Sequence, residues 1–289
     1  MLVLGSLGRV FSFALAASAA ACSAEVGQEH DSPDAGTTRA VIAVNRSAPA
    51  ASPADARADA FAGFLRTPAE ADVSTSLRLA GLGLDLPATG ACRKTARGEA
   101  SASSPKLARL ELLDAGEVTL AAGGNVTALA PRAFPTITDS ISGVVYTTRD
   151  RAAAPLPAAA TYTVATSGGT SLVALSGEAQ APGLLAGVEL DGVPLASVDS
   201  LAAKRDLVVD WTAGGAGDRV YLELGDGADS RACTFADEAG HGVVPAALVP
   251  TGSVPLTVHR LREADFADPG LTRGAVRFDF ELSASVTFE

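Results

Sequence analysis

Polar and apolar residues alternate most strictly at the C-terminus of this chain. Val276, Phe278, Phe280, Leu282, Ala284, Val286 and Phe288 share one parity, and Arg277, Asp279, Glu281, Ser283, Ser285, Thr287 and Glu289 share the other. Strand side chains point to opposite faces with period 2, so the run predicts one long strand with a core face and a water face. A helix would scatter the same apolar set around its cylinder. Shorter alternations follow the same rule at 107–113, 118–120, 144–146, 162–164, 207–211, 220–224 and 256–261. Turn formers separate them: Gly123-Gly124-Asn125, Gly168-Gly169, Gly214-Gly215, Gly225-Asp226-Gly227 and Asp268-Pro269-Gly270. Short apolar runs at this spacing with Gly and Pro turns predict an all-β chain of the sandwich class. Only 55–65 and 197–204 offer short helical alternatives, and Phe61, Gly63 and Phe64 fit a strand as well as a helix.

The N-terminus follows a different pattern. Arg9 precedes an apolar run, Val10 to Ala21, too short for a bilayer-spanning helix of about 20 residues, and small residues lead into Cys22. Residues 23–55 are rich in Ala, Ser, Pro, Asp and Gly, with one apolar patch at Val41-Ile42-Ala43-Val44, and predict a flexible linker in which that patch adds at most an edge strand. The expected organisation is therefore an export signal over 1–21, a linker over 22–55, a β-rich domain over 56–181 and a second β domain over 182–289. Together they describe two β-sandwich-like halves behind a disordered stalk, with Gln180 to Gly183 as the boundary.

Two stretches resemble known families. Ala19-Ala20-Ala21-Cys22 resembles the lipobox of bacterial lipoproteins, although Ala19 stands where Leu is commonest. The resemblance implies cleavage before Cys22, lipidation of its thiol and a membrane tether. Ser23, rather than Asp, follows the cysteine and points to the outer membrane of a Gram-negative bacterium. Asp206-Leu-Val-Val-Asp-Trp211, a Gly-rich turn and Val220-Tyr221-Leu-Glu-Leu are similar to the second and third strands of fibronectin type III and related immunoglobulin-like domains. Val243 to Leu248, 256–261 and 276–288 would supply later strands, while the family's usual Tyr near Leu256 is missing. The fold implied hosts adhesion, carbohydrate binding and spacing alike, so it selects no activity.

Charge narrows the partners. The formal net charge is −11, and loss of the first 21 residues, Arg9 included, makes it −12 over the remaining 268. Nucleic acid, which needs a basic stripe, is not an expected partner, and anchoring falls to lipid at Cys22 rather than to surface charge. With Cys22 lipidated, Cys92 and Cys233 form an even pair in an oxidising compartment and are expected to form a disulfide joining the two halves, with two buried free thiols as the alternative. No metal or cofactor is expected. Asp226, Asp229, Asp237 and Glu238 lack the D-x-D-x-D-G order of a calcium loop and read as solvated turn residues. His30 falls in the linker, His259 on a surface strand position and His241 in a turn beside Asp237, with no G-x-S-x-G elbow anywhere in the chain. Trp211 shares a strand face with Leu207 and Val209 and reads as core. The expected function is thus a non-catalytic envelope lipoprotein with an adhesive, assembly or structural role toward a protein or glycan partner. The alternatives are a glycan or small-molecule binding module, with or without calcium, and, more remotely, a hydrolase.

Overall fold

The computed structural model describes residues 36–68, 74, 77, 78, 80–94, 110–137, 141–148 and 155–289. Cys22, His30 and the export segment lie outside the described residues. The protein is all-β, and among the described residues helical turns are short, such as the 3-10 pieces Pro53–Asp55 and Leu195–Ser197. Its strands are β1 Thr37–Pro49, β2 Arg57–Thr67, β3 Cys92–Lys94, β4 Leu110–Leu112, β5 Val118–Ala122 and β6 Asn125–Ile137. Next come β7 Ile141–Thr147, β8 Thr161–Thr166, β9 Ser176–Gln180, β10 Glu189–Leu190, β11 Val193–Pro194 and β12 Ser200–Leu201. The last six are β13 Leu207–Asp210, β14 Arg219–Leu224, β15 Arg231–Ala236, β16 His241–Val244, β17 Gly252–Phe266 and β18 Arg273–Phe288.

One large sheet runs β3-β15-β14-β17-β18-β1-β2-β4-β7-β6-β5-β8-β9, and a small one runs β11-β10-β13-β16. The alternating C-terminal run becomes β18, antiparallel to β17 along its whole length and parallel to β1 from Arg273 to Ser283. Its apolar parity serves two cores in turn. Val276, Phe278 and Phe280 pack into a first core with Ile42, Val44, Ala62, Phe64, Tyr146 and Tyr162. Val286 and Phe288 pack into a second with Trp211, Val220, Leu222, Phe235 and Val258. Around the first core the sheet curls until β9 returns to β17: Gln180 O accepts from Arg262 Nη1, and Gly177 lies against the Phe266 ring, where any Cβ would collide. The second core is a true two-layer packing, with Leu190, Leu207, Val209 and Val244 of the small sheet facing the large one.

Three expectations change here. The linker reading fails over 37–55: β1 is an interior strand, hydrogen-bonded to β18 on one side and β2 on the other. Its even residues Ala40, Ile42 and Val44 are buried in the first core, and that burial of apolar surface, about 25 cal/mol per Å2, holds the segment in place. The helical alternatives also give way, 57–67 to β2 and 197–204 to a 3-10 turn followed by β12. The break near 180–183 is where the chain passes from one core to the other. It does not separate two bodies, because β17 and β18 run through both and residues 34–289 form one compact unit.

Candidate functional site

The face of the large sheet turned away from the two cores carries a cluster of polar groups that includes the buried His259 and Arg277. Register sets them side by side: Tyr221 of β14 pairs with His259 of β17, His259 with Glu281 of β18, Leu261 with Asp279, Glu263 with Arg277, and Arg273 with Arg39 of β1. This face is not open to water. The segment from Ala80 to Cys92 starts over β2, where Leu82 rests on Gly63 in a third small core with Leu65, Leu110 and Leu112. It ends beyond β14, where Gly90 N–H donates to Thr234 O and β3 joins β15. Between those ends Leu82 O accepts a 2.6 Å hydrogen bond from Arg277 Nη1. His259, Leu261 and Arg277 are consequently 5%, 1% and 9% exposed. Two sequence expectations are overturned: His259 is not a surface residue, and the polar parity of β18 faces water only toward its C-terminal end.

Asp279 is the hub of this face. Its Oδ2 accepts from Tyr221 Oη at 2.6 Å, and its Oδ1 lies 2.9 Å from His259 Nδ1, the spacing of a donated N–H. Glu281 adds a second carboxylate 3.5 Å from the same Nδ1, and the Tyr221 ring stacks on the imidazole at 4.0 Å. Burial alone pulls the His259 pKa down. The hydrogen bond and charge of Asp279, with the charges of Glu281 and Glu223, outweigh it, so the pKa is raised from 6.5. Burial pushes Asp279 up, yet its bonds from His259 and Tyr221 and the charge of Arg277 hold it below the usual range. Burial raises Glu281 and drives the Tyr221 hydroxyl well above 10. The dyad orients an imidazole as a carboxylate–histidine pair does in acid–base catalysis. Nε2 is enclosed, and no hydroxyl or thiol of the described residues is hydrogen-bonded to it.

Beside the cluster, on the same face, opens a cavity of about 340 Å3 between β1, the start of β18 and the crossing segment. Arg39, Arg78, Arg273 and Arg277 line it, against the two acids Asp85 and Glu263.

A second polar group sits between the two cores. Asp237, fully buried, lies 2.7 Å from Arg260 Nε, and its Oδ1 accepts from Trp211 Nε1 at 2.9 Å and Gly214 N–H at 3.2 Å. Arg260 also donates to Leu184 O and Thr212 O. Next to it Arg262 grips Asp218 through two parallel bonds of 2.6 and 2.7 Å, which raise the Arg262 pKa. Asp237 is therefore a structural anion, not the solvated turn residue its neighbours suggest. Its carboxylate is turned from His241, whose Nδ1 lies 3.0 Å from Ala239 O at the surface. Among the described residues no three His, Cys, Asp or Glu side chains are placed to hold a metal ion, and Asp226, Asp229, Asp237 and Glu238 do not converge.

Cys92 and Cys233 stand opposite each other on β3 and β15 with their sulfurs 2.06 Å apart, as a disulfide. The bond fastens the end of the crossing segment to the outer edge of the large sheet, rather than docking one domain on another. Trp211 lies in the second core, 5.9 Å from Phe235 between ring centres. The sequence reading missed the Tyr221–His259–Asp279 hub and the arginine cavity; the register of β14, β17 and β18 assembles the first, and the crossing segment closes both. Compared with known protein families and with curated proteins, the chain matches no family model and no curated sequence.

Proposed function

We propose that this chain is an exported envelope protein, tethered through a lipid on Cys22, whose β body works by binding or assembly rather than by catalysis. The observation that supports this most directly is the Cys92–Cys233 pairing. Disulfides persist where thiols are oxidised, outside the reducing cytosol. It agrees with the lipobox-like Ala19-Ala20-Ala21-Cys22 and with an acidic chain that carries no basic stripe for nucleic acid. The His259–Asp279 dyad fits a structural role, since it ties β14, β17 and β18 together and keeps its second ring nitrogen enclosed. One acyl chain binds a membrane marginally, at about 0.8 kcal/mol per buried CH2, so two or more chains on Cys22 are required for stable attachment.

Expression of the full chain and of Cys22→Ala in a Gram-negative host, with a radiolabelled fatty acid and membrane fractionation, tests the reading. The parent protein is expected in the outer-membrane fraction with label, and the variant soluble or unprocessed without it. Equal membrane association of both, with no label in either, would overturn the tether.

A further inference from the structure

We propose that the cavity between β1, the start of β18 and the crossing segment is a binding site for a small molecule carrying phosphate or carboxylate groups. The cavity stands out first by charge. Four arginines and two acids leave it two positive charges in excess, on a chain whose formal net charge is −11. Both acids are also engaged by arginines outside the cavity. Glu263 lies 3.4 Å from Arg219, and Asp85 is paired with Arg93 and Arg78. Arg273 is held by Asp265 at 2.9 Å.

Neither Arg39 nor Arg277 forms a direct ion pair with a carboxylate among the described residues, and only the more distant charges of Asp279 and Glu263 act on Arg277. The Nε of each is buried and has no hydrogen-bond partner there, while Arg277 as a whole is 9% exposed. Arg277 donates through Nη1 to Leu82 O, a neutral acceptor that fixes the side chain at the cavity without balancing its charge. Burial correspondingly pulls the guanidinium below its ordinary pKa. Register increases the repulsion, because Arg39 and Arg273 are direct partners across the parallel β1–β18 pair, where like charges destabilise. A buried, unpaired donor costs stability unless something accepts from it. An oxyanion supplies both missing terms, the acceptor oxygens and the counter-charge, and guanidinium forks suit phosphate and carboxylate geometry. The volume lies at the low end of small-molecule sites, so the ligand is of monosaccharide or tricarboxylate size.

This inference does not depend on how the protein is anchored. Calorimetric titration of the full chain with inorganic phosphate, glucose 6-phosphate, glucuronate, citrate and neutral glucose tests it. Saturable binding of at least one anion is expected, with glucose silent, and weakening at least tenfold in Arg39→Ala. The Arg39 side chain makes no hydrogen bond or ion pair with the described residues, so that variant is expected to fold. Arg277→Gln is expected to weaken binding as much, whereas Arg66→Ala, an exposed arginine paired with Glu111 outside the cavity, leaves it unchanged. Preference for glucose 6-phosphate assigns phosphate as the recognised group, and preference for citrate or glucuronate assigns carboxylate. No binding of any anion at 10 mM, glucose binding as well as its phosphate, or full affinity in Arg39→Ala would each overturn the proposal.

Discussion

Replacing Asp279 by Asn changes one oxygen to nitrogen and removes one charge, at a position whose alternating neighbours suggest free solvent. In the structure that carboxylate accepts from Tyr221 at 2.6 Å and faces His259 Nδ1 at 2.9 Å, under cover of the crossing segment. Hydrogen bonds to a charged group contribute about 1.5–3 kcal/mol each, and a buried group deprived of its partner adds its desolvation penalty. Asn retains one acceptor oxygen, so one of the two bonds survives in neutral form. The expected loss is about 2–4 kcal/mol. Glu281→Gln is the matched control: it stands 3.5 Å from the same imidazole but is a third exposed, and its burial already raises its pKa. Its expected cost is under about 1 kcal/mol, the range of screened surface pairs. Urea unfolding of both variants at pH 6 with the disulfide intact measures the difference, and NMR titration of the His259 ring reports the pairing. In Asp279→Asn the His259 pKa is expected to fall, since burial then acts with less opposition. The reasoning is refuted if both variants stay within about 0.5 kcal/mol of the parent and the His259 titration does not move.

The same cluster sets a pH dependence. His259 has a raised folded pKa, so its contribution is complete below about 6.5 and is lost as pH rises through the folded value; Asp279, lowered, contributes above about 3.9 and loses that as pH falls. Chemical unfolding between pH 6 and 9 should show falling stability in the parent and a flatter profile in His259→Gln. Phe278→Ala, which removes a fully buried ring packed edge-on against Tyr162 at 5.0 Å, should cost about 3–5 kcal/mol by thermal or urea unfolding. Cys233→Ser opens a loop of 141 residues, and on the chain-entropy account should destabilise by up to about 5 kcal/mol, read as the gap between oxidised parent and variant. If reduction and substitution both leave the unfolding midpoint in place, the crossing segment is held by packing alone.

How much of this was readable from the chain depends on what period 2 reports. Alternation at 276–288 identifies a strand and its apolar face, and Val276, Phe278, Phe280, Val286 and Phe288 are buried accordingly. It says nothing of what covers the other face. Arg277 and Asp279 look solvated in sequence because the segment that crosses over them, 80–92, carries no signal tying it to β18. β1 was hidden for a related reason. Its polar positions look like linker, yet Arg39 reaches the cavity and Asn45 donates to Asp59 at 2.8 Å across β2. Composition cannot show such long-range partners. Asp237 is the same case in a turn: its partners Trp211 and Arg260 are 26 and 23 residues away, beyond any local motif. The cysteine pair was legible as an even pair, since the lipobox-like reading of Cys22 sets that thiol aside and leaves Cys92 and Cys233 as each other's candidates. Their placement on β3 and β15 required the topology.

The claim that this is an exported, lipid-tethered and disulfide-bonded protein is tested most directly by one intact mass. The mature protein, extracted from membranes in detergent with free thiols blocked by alkylation before analysis, should weigh as residues 22–289 plus its acyl groups, less two hydrogens and with no alkyl group added. A chain that still begins at Met1 with three alkylated thiols would contradict the account at every step.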